Sequence, residues 1–313
     1  MEHFSGTEAI GRQLVRPVLT VGNFDGIHLG HRAILDVVVE RARSLDGEAV
    51  VHTFEPHPRQ VLYPERAPRL LTTLEQKLEL LAAAGVAVAV VEPFTLEYAR
   101  TSAEVFIRDR LHGCIAPLEV YVGYDFHFGH DREGSMRLLT EMGPRLGFAV
   151  TIIPEVTIDA GDVNSTRIRQ LLADAEVEKA CEMLGRAYTV RGSVVKGEQR
   201  GRGLGFPTAN LDPENEVLPA PGVYVGHARF LDGQAGEAHP VVTNVGTRPT
   251  FEDAGRVVAE AHLIDFDGDL YGRRLELSFE QLLRPERRFE SVDALRRQIR
   301  ADVDDGRRRL GVA

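Results

Sequence analysis

The sequence predicts an open parallel α/β sheet in the first half of the chain and a small antiparallel β-barrel with a C-terminal helix in the second. Three observations carry this. From Pro17 to Ile153, short apolar β-type runs alternate regularly with helix-periodic segments. From Tyr188 onward the helical segments stop, and short β-type runs follow one another between glycine and proline turns. A last helical segment opens near Ser291 and runs to about Leu310. With 313 residues the chain is long for one average domain and sufficient for two cores, and the change of pattern puts the boundary near Arg186. The domains expected are therefore residues 1–186 and 187–313.

In chain order, the apolar run Pro17 to Val21 predicts the first strand and Arg32 to Arg43 the helix after it. Gly22-Asn23-Phe24-Asp25-Gly26-Ile27-His28-Leu29-Gly30-His31 joins them. Ala49 to Phe54 predicts a strand that Glu55-Pro56-His57-Pro58 ends in a loop at the sheet's edge, because two prolines forbid a continuing helix. Thr72 with Glu75 and Thr73 with Gln76 make two overlapping capping boxes that open a helix to Ala84, where Gly85 stops it. Val86 to Val91 is wholly apolar, as in a parallel strand covered on both faces. Thr101 with Glu104 predicts the cap of a helix to His112, followed by a strand from Leu118 to Val122. Gly123-Tyr124-Asp125-Phe126-His127-Phe128-Gly129 forms a second loop, Ser135 to Leu146 a helix, and Phe148 to Ile153 a strand. Asn164 or Ser165 caps a helix through Leu172, and helical composition continues from Glu176 to Leu184.

The second half offers β-type runs at Thr189 to Lys196, Val223 to Phe230, Pro240 to Val245, Val257 to Ile264 and Leu275 to Phe279. Asp265-Phe266-Asp267-Gly268-Asp269 with Glu276 mimics a calcium-binding loop, but the sixth position is Leu270 where that loop needs glycine. Asp267-Gly268 is expected to be a hairpin turn instead.

Composition limits the function classes. The net charge of −10 argues against a nucleic-acid partner, whose binding needs clustered basic side chains. The longest nearly apolar run, Leu80 to Val91, falls short of the roughly 20 residues that span a bilayer. Cys114 and Cys181 match no metal spacing and are expected as free buried thiols in a reducing cytoplasm.

Three loops should converge at the carboxyl ends of the parallel strands: Gly22–His31, Phe54–Arg59 and Gly123–Gly129 with Asp125. A strand-to-helix turn points main-chain N–H groups at its ligand, which favours phosphate. Gly22 and Gly26 admit the ligand closely, while Gly30 is expected to let helix and strand pack closely. His28 and His31, three apart, are expected to share a helical face at its positive end, where imidazoles can bind triphosphate oxygens. Asn164-Ser165-Thr166-Arg167-Ile168-Arg169 adds two hydroxyls and an arginine fork that suit phosphate oxygens, although a capped helix with arginines is commonplace.

In the second half, Lys196 to Asn210 contains a mobile glycine loop, with Gly201, Arg202 and Gly205, able to wrap phosphates. No helix follows, which excludes a P-loop or dinucleotide fingerprint. After Pro207, Thr208 and Asn210 lie two apart in an extended segment and aim two hard oxygen ligands one way, suited to Mg²⁺ carrying ATP phosphates. Glu260 alternates with Val257, Ala259 and Ala261 and supplies a carboxylate base of the kind that phosphorylation of an alcohol needs.

These residues carry a resemblance. Gly22–His31, Thr53-Phe54-Glu55-Pro56-His57-Pro58, Gly123–Gly129 and Ser165-Thr166-Arg167-Ile168-Arg169 resemble the Rossmann-like adenylyltransferase module of bacterial bifunctional riboflavin kinase/FAD synthetases, relatives of the HxGH nucleotidyltransferases. The usual double serine is Asn164-Ser165 here, and His127 stands where a basic residue is often found. Gly192 to Leu211, Pro221-Gly222-Val223-Tyr224, Thr243-Asn244-Val245-Gly246-Thr247-Arg248-Pro249-Thr250, Glu260 to Phe266, Tyr271-Gly272 and Leu283 through Phe289 resemble the riboflavin kinase module of the same family. The resemblance implies a six-stranded flavin-binding barrel in which Thr208 and Asn210 bind Mg-ATP, Glu260 is the base and Asn244 lies in the binding site. It also implies riboflavin, FMN and ATP as substrates and FAD, ADP and pyrophosphate as products; a weak or transient homo-oligomer is a separate expectation, and the sequence does not fix the oligomeric state. His28, His31 and Arg167 would stabilise the pyrophosphate leaving group, and Gly22, Asn23, Phe24, Asp25, Gly26, Gly30, Asp125, Ser165 and Thr166 would line the ATP and FMN site. Two rivals remain at this point: another HxGH nucleotidyltransferase fused to an unrelated barrel, and a flavin-binding regulator without turnover.

Overall fold

The computed structural model describes residues 1–158, 161–196, 205–232, 238–247 and 257–312. The chain divides into two compact units, Met1–Asn164 and Ser165–Ala313.

In the first unit, β1 (Glu2–Ser5), β2 (Val18–Val21), β3 (Ala49–Glu55), β4 (Val88–Pro93), β5 (Glu119–Gly123) and β6 (Ala149–Ile153) form one parallel sheet in the order β1-β4-β3-β2-β5-β6. Both faces are covered, so the central strands read as continuous apolar runs. Helices α1 (Leu29–Ser44) and α3 (Leu74–Ala83) bury Leu35, Val38 and Leu81 against Val18, Val51, Ala89 and Tyr121. The alternate residues Leu19, Val50, Val90 and Val120 pack with Phe106, Ile107 and Leu139 on the other face. Those three side chains come from α4 (Ala103–Val105), which continues as a π-helix over Phe106–Ile115, and from α5 (Met136–Leu146). Because β2 lies between β3 and β5, the strand order reverses beside it, and the carboxyl ends of these three strands are where a sheet of this topology binds its ligands.

Several local expectations shift. Pro58 starts α2 (Pro58–Leu62) instead of preventing a helix, since proline costs nothing at a first helical position whose N–H has no intrahelical partner. The box Thr73–Gln76 caps α3, but the Thr72 hydroxyl is turned toward Asp25 and the Gly26 N–H instead of Glu75. Ser102, not Thr101, caps α4, and Glu133 rather than Glu104 accepts the Ala103 N–H, at 2.8 Å. β1 was not expected: four residues at an edge show no readable period, and only pairing with Val88–Val91 makes them a strand.

A short hairpin, β7 (Thr157–Ile158) with β8 (Gly161–Asp162), ends the first unit. The second begins with α6 (Ser165–Ala173) and α7 (Val177–Leu184), earlier than Arg186. Hydrogen bonds explain this grouping: Ala220 N–H donates to Leu172 O at 2.8 Å, and Leu282 N–H to Glu178 Oε1 at 3.0 Å.

The strands β9 (Tyr188–Val195), β10 (Ala209–Pro213), β11 (Gly222–Phe230), β12 (His239–Thr247), β13 (Val257–Leu263) and β14 (Arg274–Phe279) are antiparallel, and the β11–β12 pairing closes them into a six-stranded barrel. β15 (Gln281–Pro285) adds to β11. Asp267-Gly268 is not a hairpin turn: β13 pairs with β10 and β12, whereas β14 pairs with β9 and β11, so the segment between them crosses from one to the other. Ser291 caps α8 (Val292–Leu310), whose Ile299, Val303 and Leu310 cover Val223, Val225, Val242 and Ile264 on the barrel's outer face.

Candidate active sites

The turn after β2 is held open by residues whose side chains face inward. Phe24 and Ile27 adopt φ values of 50° and 38° and are 1 % exposed, so the chain is pinned at two left-handed positions around Gly26 (φ 81°). Phe24 therefore offers a ligand its main chain and not its ring. Asp25 is buried, and its Oδ1 accepts the N–H groups of Leu71 at 2.9 Å and Thr72 at 3.2 Å. Asn23 is exposed, and its carbonyl accepts the Thr53 hydroxyl at 3.2 Å, which ties the turn to β3.

His28 and His31 lie together at the positive end of α1 as expected, but His28 is not itself helical. His28 is the N-cap of α1, its Nδ1 accepts the His31 N–H at 3.3 Å, and the two rings stack with centroids 3.6 Å apart. The expected role of Gly30 is also displaced, because its tight neighbours are not in the strand. A Cβ there would lie 3.1 Å from the His28 ring and 3.2 Å from Val163 O.

Loop 123–129 leaves the neighbouring strand. Gly123 sits where a Cβ would be 3.4 Å from Asp125 Oδ1, and Asp125 itself is exposed at the crevice edge. Phe126 and Phe128 stack at 5.3 Å, and His127 Nδ1 lies 2.8 Å from Asp125 O. At the exit of β3, His57 caps α2 by accepting the Arg59 N–H at 3.1 Å. Behind it, Glu92 Oε2 accepts the Thr7 N–H at 2.9 Å and meets His52 Nε2 at 3.2 Å. Burial opposes the Glu92 charge, yet the bonds from His52 and Thr7 hold its carboxyl below the usual range.

Ser165, Thr166 and Arg167 form the first turn of α6, with Thr166 exposed and Ser165 and Arg167 half-buried; Ile168 anchors that turn in the core. The structure thus joins Gly22–His31 to β3 within the first unit and carries Ser165–Arg167 at the start of the second.

In the barrel, Asn210 on β10 is the direct cross-strand partner of Glu260 on β13, and Glu260 is that of Asn244 on β12. The three side chains stand side by side on the outer face. Their sequence neighbours Ala209, Ala259, Ala261 and Val245 are buried inside, whereas Glu260 and Asn244 are half-buried and Asn210 is 8 % exposed. Thr208 precedes Asn210 by two and is half-buried; Gly205 has φ 88° and Pro207 is exposed. Gly201 and Arg202 lie outside the described residues.

Two residues that the sequence reading quoted without giving them a role support this row. His262 Nδ1 donates to Pro207 O at 2.8 Å and fixes the approach to Thr208; its place two residues beyond Glu260 was the available signal. Gly246 leaves room for Glu286, whose Oε1 would be 2.6 Å from a Cβ at that position.

Comparison with known proteins bears on both units. Residues 12–167 match the family model described as FAD synthetase, and residues 184–310 that described as riboflavin kinase. The chain is 40 % identical over 286 residues to a bifunctional riboflavin kinase/FMN adenylyltransferase of Pseudomonas fluorescens, covering 91 % of this chain and 90 % of the other. It is 38 % identical to that of Escherichia coli K12, covering 94 % and 93 %, and 31 % identical to that of Bacillus subtilis, covering 95 % and 93 %. A crystal structure titled as a macrolide-efflux protein from Streptococcus pneumoniae superposes with TM-score 0.86 at 28 % identity, over 97 % of this chain and 98 % of the other. Among the described residues, no helix is long and apolar enough to cross a membrane.

Proposed function

The chain belongs to the bifunctional riboflavin kinase/FMN adenylyltransferase family, and on that premise we propose which residues carry each of its two reactions. The enzyme phosphorylates riboflavin with ATP to give FMN and ADP, then adenylylates FMN with a second ATP to give FAD and pyrophosphate. The riboflavin kinase match over residues 184–310 removes the reading of an unrelated barrel.

The row Asn210–Glu260–Asn244 carries the kinase assignment. Riboflavin attacks ATP through a neutral hydroxyl, so a base that takes its proton lowers the barrier. Glu260 is that base, half-exposed on the outer face with an amide on each side. Thr208 and Asn210 offer hard oxygen donors two residues apart beside this carboxylate and fit a partly hydrated Mg²⁺ brought by ATP. When bound, the ion offsets phosphate charge. Pro207, Gly205 and the segment with Gly201 and Arg202 then contact the nucleotide, and Asn244 orients the substrate next to Glu260.

Adenylyl transfer needs no base, because the FMN phosphate is already anionic. Its oxygen bonds to the α-phosphorus of ATP as the bond from that phosphorus to the pyrophosphate oxygen breaks, and catalysis consists of positioning and stabilising the departing charge. With Nδ1 accepting the His31 N–H, neutral His28 carries its proton on Nε2 and can donate it in a hydrogen bond to a phosphate oxygen. Within the first unit His31 completes the anion site, with Gly22, Asn23, Gly26 and Gly30 contributing main chain and Asp125 lining it; Arg167 and the hydroxyls of Ser165 and Thr166 are assigned to phosphate binding by the family resemblance of their motif. Asp25 contributes by fixing the loop.

The division of labour at Arg186, residues 1–186 for adenylyl transfer and 187–313 for phosphorylation, is supported by family matches that end at 167 and begin at 184. Two free cysteines and dependence on ATP support a cytoplasmic location, and the charge of −10 a chain without nucleic-acid partners. Incubation with riboflavin and ATP, with Mg²⁺ or with excess chelator, tests the metal assignment. FMN and FAD should form with Mg²⁺ and FMN should not with chelator; FMN formation at an equal rate in chelator would contradict it.

A further inference from the structure

The outward row on the barrel has a direction. β12, β13 and β10 are adjacent in that order, so Asn244, Glu260 and Asn210 follow one another across neighbouring strands. Thr208 and Asn210, assigned to the metal and the ATP phosphates, stand at one end, and the hydroxyl that is phosphorylated meets Glu260 in the middle. Whatever stands beyond Asn244, away from ATP, therefore faces the part of the substrate's alcohol chain that does not react.

Glu286 stands there. Gly246 lies two residues beyond Asn244 on β12 and shares its outward face. A Cβ built on Gly246 would be 2.6 Å from Glu286 Oε1 and 3.4 Å from Asn244 Nδ2, so the carboxylate fills the space that this glycine leaves beside the amide. Gly246 is buried beneath it, whereas Glu286 itself is exposed. Because Asn244 pairs with Glu260, position 246 is the diagonal neighbour of Glu260, about 7–8 Å away by strand geometry. The chain is fixed just before Glu286. Arg284 grips Asp302 of α8 through Nε to Oδ1 at 3.0 Å and Nη2 to Oδ2 at 2.8 Å, and its Nη1 donates to Pro285 O at 3.1 Å. Gly222 lets this segment lie close to β11, since a Cβ there would be 3.2 Å from Arg284 O. Arg284 and Arg287, the basic neighbours of Glu286, are engaged by Asp302 and Gln298 instead.

We infer that Glu286 sets specificity for the polyol side chain of riboflavin: its carboxylate accepts hydrogen bonds from the hydroxyls between the flavin ring and the one that Glu260 deprotonates. The inference rests on the assignment of the row to riboflavin phosphorylation. A carboxylate suits the task because it only accepts, in several directions, while each hydroxyl of a neutral polyol has a proton to donate. Glu286 touches no reacting atom, so its signature is on binding and selectivity and not on the chemical step. Gly246 belongs to the same device: a methyl group there meets only the mobile end of the Glu286 side chain, which the fold tolerates but which moves the carboxylate away.

The test is steady-state phosphorylation, by the full chain, of riboflavin and of an analogue whose ω-hydroxypentyl chain keeps the terminal hydroxyl and lacks the others. The proteins are wild type, Glu286→Ala, Gly246→Ala and Glu260→Ala, each checked for folding by its thermal transition. Wild type should prefer riboflavin over the analogue by about tenfold or more in kcat/KM. Glu286→Ala should raise the KM for riboflavin by about tenfold or more with kcat within about threefold, and bring the preference to within about threefold of unity. Gly246→Ala should shift both quantities the same way, although it removes no group that could bind substrate. A riboflavin KM within about twofold of wild type in Glu286→Ala overturns the inference. So does a preference that Glu286→Ala retains, since an equal loss with both flavins marks a purely structural role, and so do wild-type kinetics in Gly246→Ala. Retention of riboflavin phosphorylation by Glu260→Ala would instead remove the underlying assignment of the row; its loss there together with an unaffected Glu286→Ala removes the inference alone.

Discussion

His28 Nδ1 accepts the His31 main-chain N–H at 3.3 Å while the two imidazoles stack with centroids 3.6 Å apart. One ring therefore caps the start of the helix, and under the proposed assignment the same ring also serves the anion. His28→Asn separates the jobs, because asparagine caps a helix as well as any residue but lacks the imidazole. The variant should unfold at the wild-type temperature yet lose adenylyl transfer by about 10²–10³-fold, the cost typical of removing one preorganised donor to a developing oxyanion. Calorimetry with an FAD-forming assay checks both, and near-wild-type activity would assign the histidine to the cap alone.

Gly30 stands between the His28 ring and Val163 O, at 3.1 and 3.2 Å from a Cβ built there. A methyl group requires the ring or the main chain to give way by a few tenths of an ångström. Gly30→Ala should therefore lower adenylyl transfer by about tenfold through the displaced ring, at a stability cost of about 1–3 kcal/mol, and leave riboflavin phosphorylation untouched.

Cys181 is held between the Phe279 carbonyl, to which its thiol donates at 3.3 Å, and the Tyr188 N–H at 3.4 Å. Burial pushes its pKa from 9.0 up to about 11. The sign follows: the fold favours the neutral thiol, so the stability it contributes is fully present below pH 9 and is lost as pH rises toward 11. In Cys114→Ser protein, iodoacetamide labelling of Cys181 followed by mass spectrometry should stay slow at pH 8 and rise only as the pH nears 11. Rapid labelling at pH 8 in folded protein would contradict the burial.

Much of this was legible in the sequence, and the reasons are local. Val88 to Val91 is buried on both faces, so its apolar run announces a parallel strand whatever its neighbours. The alternation of Glu260 with Ala259 and Ala261 announces an outward carboxylate. What stayed hidden depends on partners distant in sequence. β1 exists only by pairing with β4, and the Thr72 hydroxyl is drawn from its capping box by Asp25, 47 positions away. Asn210 and Asn244 lie in different segments, and only the barrel register places both beside Glu260.

The division of labour between the two units rests most directly on Glu260. Glu260→Ala should lower riboflavin phosphorylation by about 10²–10⁴-fold, the range for loss of a positioned base, while FMN supplied directly is converted to FAD within about twofold of the wild-type rate. Equal loss of both activities in a folded variant would contradict the account.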